Sequence, residues 1–475
     1  MKKPGIDRHF FKLIWPLIIE QLLAVAMGAC DNLMVSPLGE YATASVNIVD
    51  NINNLLIVGL GALCTGGAVV VSQYIGQQKQ AEAAAQGAPG EYNAAAQQAL
   101  EHARVSAKQL VYVVTLLSLG VMAVAVLLRR PIITLFYGSI EPDVMAAAMT
   151  YFLFTACSYP ALAIYNANAA LLRAAKDMRT PMWVALMVNI MNIGGNFFFI
   201  FVLHIGVMGA ALSTLICRIA AAAVTTIILY RSRSAVSLAG LFRVRFHRSM
   251  IKDILGVGIP SFFENSMFWI GKLLTQRIFP LFGTSAIAAN AITGTINSFS
   301  HMTGGAYGMA LQTEVGQLIG AGNYPAAKKQ TTKIMIRAYR TMFIVSGLVA
   351  VFARPLVGLS SLTPGAMATA VQILQIHSIF MIVGWPMSFT LPHALRAAGD
   401  GKFVMGAATL SMWVVRVGCA YLFALGLGLG PLGVWLGMGC DFLARGTVYF
   451  LRWRGGQWQT KQVIKDKTSG DEQLV

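Results

Sequence analysis

Charge is what this 475-residue sequence has little of: Asp, Glu, Lys and Arg make up 12% of it, and only 19 residues are acidic. Soluble chains carry about 25% charged residues to cover their surface, so a soluble globular protein is excluded. Cysteine is sparse as well. Cys30, Cys64, Cys157, Cys217, Cys419 and Cys440 are scattered, with no close pair, and they read as small apolar fillers rather than a disulfide framework or a thiolate metal site. There is no His/Glu metal cluster, no pair of catalytic aspartates at helical spacing and no Ser/His grouping, so an enzyme is not expected. Nor does a short apolar segment with a cleavage site follow the basic N-terminus, so no cleavable leader is expected.

Hydrophobic residues are abundant instead, at 56%, in long runs of near membrane-crossing length. The expected fold is an all-α integral membrane protein, because lipid leaves backbone polar groups no partner but the helix itself. Twelve transmembrane helices are expected over 10–33, 44–75, 105–128, 143–171, 181–203, 207–230, 252–278, 287–317, 334–352, 366–394, 403–425 and 431–450. The net charge of +17 sits mostly in loops on one side, with 28 of the 36 basic residues there and only Arg129, Arg130 and Arg354 opposite. That is the positive-inside pattern, not a nucleic-acid surface, and it places both termini in the cytoplasm.

The chain repeats itself. Leu172-Arg173-Ala174-Ala175-Lys176-Asp177 returns as Leu395-Arg396-Ala397-Ala398-Gly399-Asp400, 223 positions later. Pro16 and Glu20 return as Pro260 and Glu264, and Ser72-Gln73-Tyr74-Ile75-Gly76 as Gly316-Gln317-Leu318-Ile319-Gly320, both 244 positions later. The domains expected are an N-terminal six-helix bundle over 1–230, a basic linker over 231–250, a C-terminal six-helix bundle over 251–455 and a polar tail over 456–475. Two homologous bundles in a membrane usually flank a central path. The linker, with apolar Leu238, Leu241, Phe242, Val244 and Phe246, reads as an amphipathic helix on the inner leaflet or as a plain tether. An Ala/Gln-rich stretch, 81–103, has no counterpart in the second half and reads as a surface helix and turn.

Polar residues inside apolar spans carry the functional signal, since an ionisable group in hydrocarbon is costly unless it faces a cavity or a partner. Asp31 lies in the first span. Asn47, Asp50, Asn51 and Asn54 share one face of the second, and Asn189, Asn192 and Asn196 one face of the fifth. These faces are expected to converge on a wet cavity, with Asp31 the leading coupling residue and Asp50 an ion or substrate ligand. In the second half the substrate candidates are Glu264, Lys272, Asn290 and Asn297. Glu264 would either bind a cation or pair with Lys272, two turns away. His301 reads as a satisfied polar histidine. Asp441 and Arg445 read as an i,i+4 pair, and Arg416 as a further intramembrane cation.

These residues resemble the multidrug and toxic compound extrusion (MATE) transporters. The likeness is carried by Pro16 with Glu20-Gln21, Asp31-Asn32-Leu33-Met34-Val35, Gly61 through Gly76, the element ending at Asp177, and Gly206-Val207-Met208-Gly209-Ala210-Ala211. The resemblance covers about residues 8–455. It implies two six-helix bundles around a V-shaped cavity. It also implies export of drugs or other amphipathic organic solutes by alternating access, in exchange for H+ or Na+. No cofactor is implied beyond that ion, and no metal site. The expected setting is a bacterial inner membrane, the expected state a monomer and the partners a small organic substrate and the lipid bilayer. The resemblance makes Asp31 the coupling acid, with Asn192 and Thr214 as neighbours, and it sets Glu264 where some members hold a second cation site. Asn196 departs from the aspartate many members carry there. A flippase for a lipid-linked or anionic precursor is the alternative, favoured if Lys272, Arg277 and Arg416 face the centre.

Overall fold

The computed structural model describes residues 8–85, 91–138, 140–241, 246–360, 362–461 and 463–464, and among these there is helix but no strand. The first half contains Arg8–Val35, Glu40–Ala85, Glu91–Leu127, a bent fourth span, Arg179–Asn196 continuing into Phe197–Val202, and Gly206–Arg231. The second contains Arg248–Gln276, Thr284–Gly320, Tyr324–Val351, a tenth span running Pro364–Val383, Pro386–Thr390 and Leu391–Ala397, an eleventh from Gly401 to Gly426, and Pro431–Arg454. Eight of these are long and apolar enough to cross a bilayer alone, and Pro142–Cys157 with Tyr159–Ala174, bent by 42°, makes a ninth. The other three, at 29, 37 and 24 residues, have the length but carry more polar side chains. All three lie in the second half. The fold is twelve transmembrane helices in two bundles.

Helices overrun the expected spans because hydropathy marks lipid crossing, not the end of hydrogen bonding. The stretch 81–103 is not a separate surface helix. Its described part prolongs the second and third spans, which pack along each other through buried Ala96, Ala99 and Ala103. The turn Gly87-Ala88-Pro89-Gly90 lies outside the described residues. The described linker residues 232–241 form turns, not a helix lying on the membrane. Leu238 and Leu241 point into the first-half core with Leu110 and Leu229, and Tyr112 Oη donates to the Leu241 carbonyl at 2.6 Å. Burial against protein exceeds what a membrane surface offers those side chains. Phe242 and Val244 lie outside the described residues. Beyond the last span, Trp458 stacks on Trp453 at 4.1 Å, while Val463 and Ile464 join the first-half core. The chain thus crosses from one half to the other near its end.

The cores show where the halves meet. At the end of the bundle bearing the termini, Leu13, Ile14 and Leu17 of the first span pack with Ala310, Leu391 and Tyr449 of the second half. Ile254 likewise joins a first-half core. At the opposite end each cluster belongs to one half alone. The halves are therefore joined at one end and parted at the other.

Several spans contain π-helical turns, at Phe197–Val202, Pro386–Thr390, Ser411–Val417 and Leu422–Gly426. Such wide turns re-aim side chains and often sit at functional sites. Pro386 lacks the N–H an α-helix would use, which loosens the tenth span there.

Candidate functional site: a cavity between the halves

The parted ends enclose a cavity of about 760 Å³ lined by both halves. From the first half come Asp31 and Asp50, together with Asn47, Asn51, Asn54, Asn189 and Thr214. The face drawn from the spacing of the second span therefore does look into the cavity. Asn192 and Asn196 are fully buried behind it. Asn196 Nδ2 donates to Asp31 Oδ1 at 2.5 Å and approaches Asn192 Oδ1 at 3.4 Å. Asp50 accepts from Tyr151 Oη at 3.4 Å, and Tyr159 Oη donates to Asn53 at 2.6 Å. Asp31 is therefore buried and Asp50 half-buried in this wall, each accepting from a neutral donor.

Asn196 Oδ1, on the amide whose nitrogen binds Asp31, and Thr214 Oγ1, which lines the same cavity, have no hydrogen-bond partner among the described residues. A carboxylate and unengaged amide and hydroxyl oxygens are the types of donor a hard cation takes. The same carboxylate can hold a proton instead, with the asparagines serving either form.

Arg218 was not singled out from the sequence, although a lone arginine in the apolar sixth span was there to be seen. It lines the same cavity, and its Nη1 donates to Ser158 Oγ at 2.7 Å, at the bend of the fourth span. One cation thus faces two carboxylates on the first-half wall.

The floor holds two ion pairs that are copies of one another. Arg173 Nη1 meets Glu20 Oε1 at 2.8 Å, and Arg396 grips Glu264 through Nε at 3.1 Å and Nη2 at 2.8 Å. This corrects the expected partner of Glu264, which is not Lys272. Spacing along one helix suggested Lys272, but that side chain lies over the Trp269 ring, 4.5 Å from its centroid. The arginines belong to the repeated Leu-Arg-Ala-Ala element and the glutamates to the repeated Pro-x-x-x-Glu. Both copies were legible, but their meeting across more than a hundred residues was not. Glu264 consequently brings no free negative charge to the cavity.

Lys272, Asn290 and Asn297 do not line the cavity, and Asn297 is buried with neither amide atom partnered among the described residues. His301 is stacked on Trp385 at 4.3 Å, and its Nε2 has no partner there either. Asp441 Oδ2 and Arg445 Nη2 stand 3.5 Å apart, a loose pair, while Ser411 Oγ donates to Asp441 Oδ1 at 2.5 Å.

Below the floor the cavity is shut by bonds between the halves. Gln73 Nε2 donates to the Ala397 carbonyl at 2.8 Å, and Gln317 Nε2 to the Ala174 carbonyl at 2.7 Å. Gln73 and Gln317 are mates in the repeat, as are Ala174 and Ala397. Gly76 and Gly320, also mates, bring the second and eighth spans so close that a Cβ on either would overlap the facing backbone, at Gln317 and Gln73 respectively. Lys176 Nζ adds an ion pair to Glu314 at 2.7 Å.

Comparison with known proteins agrees with this architecture. The MatE family model matches residues 16–88, 93–198 and 260–422. The chain is 29% identical over 468 residues to the "Uncharacterized transporter YisQ" of Bacillus subtilis, covering 97% of each. It is 24% identical over 470 residues to the "Probable multidrug resistance protein NorM" of Thermotoga maritima, covering 97% of this chain and 95% of that one. Among solved structures, the outward-facing conformation of a multidrug resistance MATE family transporter of the MOP superfamily superposes with a TM-score of 0.83 at 19% identity, covering 96% of both chains. With the family matched over most of a twelve-span fold whose halves share one cavity, the chain belongs to the MatE family of multidrug and toxic compound extrusion transporters.

Proposed function

We propose that the protein is an antiporter that exports amphipathic organic solutes in exchange for H+ or Na+, by alternating access, in a bacterial inner membrane. The observation that carries this reading is Asp31. It is a buried acid at the wall of a cavity between the halves, held by Asn196, and Thr214, with an unengaged oxygen, lines the same cavity. Asp50, Asn192 and Arg218 complete its surroundings, and a monomer supplies every residue of the path.

The basic loops support cytoplasmic termini, and in that orientation the shut end faces inward and the cavity outward. In this reading an external cation loads at Asp31 and changes the packing of the first, second, fifth and sixth spans. Substrate leaves outward and the halves rock. The ion pairs Glu20–Arg173 and Glu264–Arg396 each lie within one half and ride along. The bonds of Gln73, Gln317 and Lys176 cross between halves and must break for the inward-open state. A ligand drives this only by its differential affinity for the two states.

The test is uptake of a fluorescent organic cation into inside-out proteoliposomes under separately imposed H+ and Na+ gradients. Asp31→Asn should fold normally and reduce gradient-driven uptake to the rate of empty liposomes. Full-rate uptake by that variant would overturn the coupling role.

A further inference from the structure

The second-half wall carries the opposite charge from the first. Arg416 and Arg445 share a single carboxylate, Asp441, whose Oδ1 is already engaged by Ser411, and Lys272 lies next to Arg416. Of the three cations Arg445 reaches the cavity. It is 3% exposed, and its Nε and Nη2 have no hydrogen-bond partner among the described residues. Arg416, 5% exposed, leaves Nη1 unpartnered in the same way. Both guanidiniums lie against the Phe268 ring, at 5.7 and 5.2 Å, and Arg445 also lies 4.2 Å over Phe389. Phe268, Phe389, Trp269 and Trp385 continue this surface along the cavity, with Trp385 and Phe389 stacked at 3.9 Å.

A buried guanidinium is costly unless its charge is met and its donors engaged. An arginine serving only to neutralise the acid one turn away on its own helix would spend its fork on Asp441. Here that contact, made through Nη2, is long, at 3.5 Å, and Nε stays unpartnered among the described residues in a side chain that lines the cavity. Resting on the reading of this cavity as the substrate path, we infer that Arg445, reinforced by Arg416 and Lys272, is an anion subsite that takes the carboxylate of an aromatic substrate. The planar fork matches a carboxylate in two parallel hydrogen bonds. The rings beside it take the apolar body. A volume of about 760 Å³ suits a drug-sized molecule. The substrates selected would be aromatic carboxylates, and zwitterions whose cationic end turns to Asp31 and Asp50.

Equilibrium binding of dansylglycine and of its methyl ester to the purified full chain in detergent, read by dansyl fluorescence, tests this directly. The acid should bind the parent at least about tenfold more tightly than the ester, the effect of one charge-assisted pair. Arg445→Gln should equalise the two. Arg445→Lys should keep part of the preference, retaining charge but not the fork. Equal binding of acid and ester by the parent would overturn the proposal, as would an undiminished preference in Arg445→Gln. If Arg445→Gln is not monodisperse, Arg445→Lys and Lys272→Gln decide: a weakened preference in both supports the subsite, and an unchanged one in both overturns it. No gradient enters this measurement, so a failed coupling role at Asp31 leaves it standing, and loss of the acid's preference leaves that role untouched.

Discussion

In the first half Glu20 meets Arg173 at 2.8 Å, and in the second Glu264 meets Arg396 at 2.8 Å, at matching places in the repeat. Higher in the cavity the correspondence ends. The offset of 244 carries Asp31 onto Thr275 and Asp50 onto Gly294. The first half holds two acids against Arg218, whereas the second holds Arg416 and Arg445 against Asp441, with Lys272 beside Arg416. What the halves keep in common is what builds and shuts the transporter. What they do not share is what would contact its cargo. A duplicated scaffold tolerates divergence where side chains face solvent, but a buried pair changes only if both partners change.

The sharpest break in the comparison is expected at Asp31. Asp31→Asn should abolish gradient-driven uptake, while Thr275→Val at the corresponding place should keep most of it. Thr275 spends its hydroxyl on the Lys272 carbonyl at 2.9 Å within its own helix, so it offers nothing to an ion. Equal losses in the two variants would mean that the halves are not divided in this way.

The shared pairs should behave alike. Removing Arg173 or Arg396 leaves a glutamate buried without its cation, a cost of about 3–5 kcal/mol. Arg173→Ala and Arg396→Ala should lower the apparent melting temperature in detergent by similar amounts. Glu20→Gln with Arg173→Gln together should be milder than Arg173→Ala alone, because no charge is stranded. A large loss in one half only would show that the duplication is not energetic.

The glycines at the shut end come next. Gly76→Ala and Gly320→Ala each push a Cβ into facing backbone, which cannot yield as a flexible side chain would. Overpacking of this kind costs about 1–3 kcal/mol, here charged only to the shut state. Both variants should raise the inward-open population about tenfold, read as spin-label distances across that end. Gly120→Ala, with nothing within 4 Å of the new carbon, is the control.

The sequence carried the twelve spans because crossing lipid demands long apolar runs, and it carried the repeat because matched elements survive at fixed offsets. It carried the faces of the second and fifth spans, since spacing alone sets which side chains share a helix face. It did not carry pairings between distant spans. Glu264 was set beside Lys272 because both lie on one helix, while its partner Arg396 lies 132 residues away. Nor did it tell Leu238 and Leu241 in a protein core from the same residues on a membrane surface, since both environments ask for apolar side chains. Arg218 escaped because it stands alone in its span, with its neighbours Ser158, Asp31 and Asp50 supplied by three others.

The finest test of the shared skeleton is the glutamine latch. Gln73 and Gln317 each make one buried bond across the halves, and a neutral bond of this kind contributes about 0.5–1.5 kcal/mol net. Truncation to Ala leaves the carbonyl of Ala397 or Ala174 unpaired in the shut state, but free to meet water once that end opens. Each variant should therefore favour opening by about 2- to 12-fold, measured by the same spin-label distances. The double variant should give close to the product, because the two bonds share no atom. A pseudo-twofold latch requires the two single effects to agree. Lys79 Nζ lies 2.9 Å from Gln317 Oε1, a contact with no counterpart at Gln73, where the residue matching Lys79 is Asn323. If Gln317→Ala opens the end further than Gln73→Ala, Lys79→Met should bring Gln317 down to the level of its mate. Should the gap persist in that background, the asymmetry lies in the packing of the two spans rather than in the lysine.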